Sequence, residues 1–148
     1  MDRLIAEYVN KNLFTTLNQG RHTFQIDANH AFVAAVNEML IFSSEEKIRL
    51  FPGYEALFKS GTLKGLSLAG GRKLRALIWN LEENTVQIEL LPRRSECIRF
   101  ELPKGIHSCV STGKIEFVKG ESHLKAYLSA GNALILNIQM ESGYNRVQ

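Results

Sequence analysis

The chain has 148 residues, 45% hydrophobic and 22% charged, with a net charge of +3. That size suits one domain, or a small domain with an appendage, and the composition is that of an ordinary soluble globular protein. Apart from Arg93-Arg94 the cations are scattered among acids, which speaks against nucleic acid as a partner, since such surfaces gather Lys and Arg into a stripe or cluster.

The opening "MDRLIAEYVNKNLF" lacks the basic end and apolar run of a secretory leader. No stretch approaches the 18 or more apolar residues of a membrane span. A soluble, cytoplasmic protein with no membrane partner is the expectation. Leu4, Ile5, Tyr8 and Val9 recur at three- and four-residue steps, predicting a short amphipathic helix that frays near Asn12. "TTLNQGRHT" supplies turn residues. A second helix is predicted over about 28–43, with Phe32, Val36, Met39 and Leu40 on one face and Val33 widening it. Ala34 and Ala35 permit a close neighbour there, and Asn37 and Glu38 are left for solvent or a neighbouring polar wall.

Near Ser43–Lys47 the period changes from 3.6 to 2. "KIRLF" reads as a strand stopped by Pro52-Gly53. Alternating runs then follow at roughly ten-residue intervals, "RKLRALIWNL", "TVQIELL", "CIRFEL", "KIEFVKG", "HLKAYLS" and "NALILNI", with glycine or Glu82-Glu83-Asn84 turns between them. The expected fold is α+β, mainly β: two N-terminal helices over residues 1–46, then an antiparallel β-sandwich over 47–148. Leu74, Ile78, Val86, Ile88, Phe100 and Leu136 are the expected core, with Leu74, Ala76 and Ile78 facing one way and Leu77, Trp79 and Leu81 the other.

Asp27 stands where an N-cap belongs, able to accept from free amides and to meet the positive helix end. Asn29 reads equally as a second capping residue or a pocket amide, and His30 as a neutral polar contact before a sugar ligand. Trp79, with leucines on its face, reads as core. Arg93-Arg94 reads as a surface pair, and His107 and His123 have no evident partner. Cys97 and Cys109 form no metal pattern with the histidines and read as buried reduced thiols, a disulfide being the alternative. Neither a metal nor a cofactor is implied.

The order of motifs is more specific than any one of them. Asn12-Leu13-Phe14, Phe24-Gln25-Ile26-Asp27-Ala28-Asn29, Glu38-Met39-Leu40, Leu50-Phe51-Pro52, Gly61, Gly65-Leu66 and Gly70-Gly71 together resemble the C-terminal part of glycoside hydrolase family 95, the 1,2-α-L-fucosidase family. The likeness covers roughly residues 12–92. It implies the end of an (α/α)6 barrel followed by a C-terminal β-sandwich, in an enzyme hydrolysing terminal α-linked fucose, or galactose, with inversion. Inversion needs a protonated carboxyl on the leaving oxygen and a base that activates water on the opposite sugar face. In the family, asparagines hold that water and an aspartate polarises them; the matching position is Asp27, with Asn29 and His30 in the adjoining substrate wall.

Departures accompany the match. The family's aromatic-glycine pair is here His30-Ala31, and its arginine before the double glycine is Ala69. Its general acid and water-holding asparagines belong to barrel segments upstream of the matched stretch, so this chain alone is expected to be inactive. An oligosaccharide is the implied substrate of a complete enzyme, and the apolar stripe of Phe32, Val36 and Met39 is expected to drive self-association or to take a partner. The alternatives are a non-catalytic β-sandwich module binding carbohydrate or a protein, and, more weakly, an interaction domain that shares only the fold.

Overall fold

The computed structural model describes residues 18–19, 23–24, 26–53 and 58–142. The first predicted helix lies outside them. β1 (Asn18–Gln19) and β2 (Thr23–Phe24) form an antiparallel ribbon ahead of a single described helix, α1 (Ile26–Leu40). The helix ends before the expected residue 43, because Ile41–Ser43 are drawn into a strand, β3, which pairs with β4 (Lys47–Leu50) through the Ser44–Glu46 turn. Phe51 N then donates to Leu40 O at 2.7 Å and Gly53 N to Met39 O at 3.2 Å. The Pro52-Gly53 stop thus satisfies two helix-terminal carbonyls that would otherwise lack partners.

The other strands are β5 (Ser60–Leu63), β6 (Leu66–Leu68), β7 (Arg72–Asn80), β8 (Thr85–Leu91), β9 (Glu96–Glu101), β10 (Ile106–Ser111), β11 (Ile115–Phe117), β12 (His123–Leu128) and β13 (Leu134–Met140). They form a six-stranded sheet, β10-β13-β8-β7-β5 with β6 also on β7, and a five-stranded sheet, β11-β12-β9-β4-β3. β5 and β6 continue one register along β7, Leu63 opposite Leu77 and Leu66 opposite Leu74. They behave as one edge strand interrupted at Lys64-Gly65. Pairing is antiparallel as expected, except that β4 runs parallel to β9.

The core lies between the two sheets and draws Ile48, Leu50, Ile98, Phe100 and Leu124 from one and Leu74, Leu77, Ile88, Leu90 and Leu136 from the other. Ile78, expected inside, is 41% exposed. The reason is a β-bulge. Leu74 faces Leu90 and Ala76 faces Glu89, so Arg75 is an extra residue that reverses the inward parity of β7. Before it Arg72 and Leu74 point inward; after it Leu77 and Trp79 do. Trp79 is core as expected, its Nε1 donating to Phe58 O at 2.7 Å and its ring tilted against Phe51 with centroids 5.6 Å apart. Both cysteines are free, but Cys97 is exposed on the outward parity of β9 and Cys109 only half-buried, correcting the expectation of two buried thiols.

Candidate functional site

α1 carries the candidate site residues. Asp27 and Asn29 stand in its first turn, and His30 is exposed. The helix starts at Ile26, a single residue after β2, so position 27 lies inside the first turn rather than at the cap. A carboxylate is still favoured there by the helix dipole. Positions 27 and 29, two apart, fall on opposite sides of a helix, whereas 27, 31, 34 and 38 fall on one side.

That second set matters. Ala31, Ala34, Ala35 and Glu38 are exposed, as is Val33 at 58%. The expected stripe behaves differently: Phe32, Val36 and Met39 are half-buried, and Val36 packs against the core. The apolar residues left open on α1 are therefore the alanines, with Val33 on another side, and not Phe32, Val36 and Met39.

Beyond α1 and β3, the β3–β4 turn is held by a joint built on Arg72. Arg72 is fully buried, and every N–H of its guanidinium is used. Nε and Nη2 donate to Glu96 Oε1 and Oε2 at 2.8 and 2.9 Å, Nη1 to Ser44 O and Ala69 O at 2.9 and 2.8 Å, and Nη2 also to Glu45 O at 2.6 Å. The Ala69 amide donates to Ser43 Oγ at 3.0 Å. The double glycine makes this geometry: Gly70 and Gly71 both hold positive φ, 73° and 71°, and a Cβ on Gly70 would sit 2.9 Å from Cζ of Arg72. So the turn that follows β3 and the turn that precedes β7 are tied by one side chain.

Burial pushes the Glu96 carboxyl up, but hydrogen bonds from Arg72 and then Arg94 outweigh it, so its pKa lies below the ordinary range. Arg94 adds a second contact, Nη2 to Glu45 Oε2 at 2.5 Å. Nothing singled out Arg72 in the sequence, where "GGRKLR" reads as an ordinary basic strand; its shared parity with Leu74 was the available sign. His123, thought unpartnered, lies 3.2 Å from Glu121 Oε2.

Among the described residues no group of three or more His, Cys, Asp or Glu could hold a metal ion, and no helix is long and apolar enough to cross a membrane. No protein-family model matches the sequence, and neither does any curated protein.

Proposed function

We propose that the chain is the C-terminal segment of an inverting, α-L-fucosidase-like glycoside hydrolase acting on terminal α-linked fucose, or galactose, of oligosaccharides. The motif order from Asn12 to Gly71 suggests it. The observation that carries it is the open side of α1, where Ala31, Ala34 and Ala35 are exposed on the helical face to which position 27 belongs. Small apolar residues on an exposed helix face suit close packing by another helix, and a helix apolar on most sides is normally buried. Further barrel helices seated on the alanines would bring their polar groups over Asp27.

In that setting the Asp27 carboxylate polarises a side-chain amide that holds the attacking water, and an acid from another barrel helix protonates the leaving oxygen. Asn29 and His30 belong to the substrate wall. The Arg72 joint ties the β3–β4 turn, which α1 reaches by way of β3, to the start of β7. The test is fucose release from 2′-fucosyllactose, by this chain alone and by this chain joined to the upstream barrel of such an enzyme. Only the joined protein is expected to turn over, and Asp27→Asn is expected to stop it.

A further inference from the structure

Parts of the outer faces of the two sheets differ in kind. On the five-stranded sheet two outward rows are charged: Lys47, Arg99 and Lys125 form one cross-strand row, and Arg49, Glu101 and His123 the next. On the six-stranded sheet, one row across the strands reads Thr62, Ile78, Gln87, Asn137, Val110. The row beside it reads Ser60, Asn80, Thr85, Gln139, Ser108. Neither row holds a charge, in a chain of which 22% is charged.

The inner members of these rows, from β7, β8 and β13 with Ser108, line a shallow groove of about 350 Å³, within the size range of small-ligand sites. Gln87 and Asn137 face each other directly across β8 and β13, and their side-chain amides have no hydrogen-bond partner among the described residues. The flanking amides are held by the β7–β8 turn: Asn80 Oδ1 accepts from the Glu82 and Glu83 amides at 3.1 and 3.2 Å, and Gln139 Nε2 donates to Glu83 O at 2.9 Å. Ile78, turned outward by the bulge, supplies an apolar floor, with the 69%-exposed Val110 at the margin.

We propose that this face is a binding site for a neutral saccharide, seated across Gln87 and Asn137 with a C–H face on Ile78. Each amide presents a donor and an acceptor in one plane, which matches adjacent hydroxyls that are themselves both donor and acceptor. A nucleic acid or an acidic glycan would need cations that the groove lacks. A peptide strand would need an open sheet edge, whereas the middle strands here are paired on both sides. The site does not depend on Asp27 or on any barrel.

The experiment is an isotope-edited titration of the full chain with lactose, 2′-fucosyllactose and cellobiose, with glucuronate as the charged control. Saturable shifts confined to β7, β8, β10 and β13 and to the Gln87 and Asn137 side-chain amides are expected, insensitive to salt. Gln87→Ala should weaken binding about tenfold, and the double variant with Asn137→Ala should lose it. Both residues are exposed, and thermal unfolding checks the fold. The isosteric Asn137→Asp provides a second variant, expected to weaken binding by replacing the amide donor with a charged, acceptor-only carboxylate. No saturable shift with any neutral probe, shifts elsewhere, tighter binding of glucuronate, or binding unchanged in these variants would each overturn the proposal. Sugar binding here beside an inactive barrel fusion would sink the fucosidase reading alone.

Discussion

Nε of Arg72 lies 2.8 Å from Oε1 of Glu96 and its Nη2 lies 2.9 Å from Oε2, so a fully buried guanidinium on the six-stranded sheet grips a carboxylate on the other. Removing one partner of a buried, hydrogen-bonded pair costs about 3–5 kcal/mol, because the remaining groups stay desolvated. Arg72→Met is expected to fall in that range, stranding the Ser44, Glu45 and Ala69 carbonyls and leaving the Glu96 carboxylate to Arg94 alone. Arg72→Lys should recover only part of it, since an ammonium cannot reproduce the planar fork. Urea unfolding measures both.

Acid should expose the same joint. The Glu96 pKa is depressed although burial opposes it, through Arg72 and Arg94; the Glu101 pKa is depressed, also against burial, through Arg49 and Lys47. A carboxyl whose folded pKa is lowered contributes stability fully above its ordinary value and loses it as pH falls through the folded value. Stability should therefore hold down to the ordinary value of 4.5 as far as these groups decide, then drop below it. Arg72→Met should make the acid limb shallower, which a pH series of unfolding midpoints would reveal.

Gly61 offers a local test of the motif. A Cβ there would lie 2.6 Å from Cζ2 of Trp79, a ring fixed by its bond to Phe58 O. Because the ring cannot swing away, Gly61→Ala is expected to destabilise by about 1–3 kcal/mol, the usual cost of overpacking. An unchanged melting temperature would show that the ring has room to shift.

The two thiols should separate chemically. Burial pushes the Cys109 thiol up to about 11, so roughly one part in a thousand is thiolate at pH 8. Cys97 is exposed. Alkylation near pH 8 followed by peptide mapping should label Cys97 first and Cys109 mainly after unfolding.

Much of the β architecture was legible, because period-two runs with turns between them leave few alternatives. What misled was parity. The expected inward position of Ile78 assumed an unbroken strand, and the extra residue at Arg75 has no side-chain signature to give it away. The helix end was misread for a related reason: Ile41-Phe42 continues an apolar helix pattern, and pairing with Leu50 and Arg49 overrides it. Arg72 went unnoticed because a buried arginine is identified by its partners, and Ser44, Glu45 and Glu96 are distant in sequence. At the candidate site the motif names Asp27, Asn29 and His30, but a chemical role depends on groups from other helices, which no local pattern in this chain encodes.

The central claim is that Asp27 belongs to a fucosidase-type site completed by a barrel. Its most direct measurement is fucose release from 2′-fucosyllactose by a fusion in which this chain replaces the corresponding C-terminal part of an active enzyme of that family. The account predicts turnover by the fusion, loss of at least about a hundredfold with Asp27→Asn, and none by the 148-residue chain alone. A folded fusion that is inactive, or turnover that survives Asp27→Asn, would contradict it.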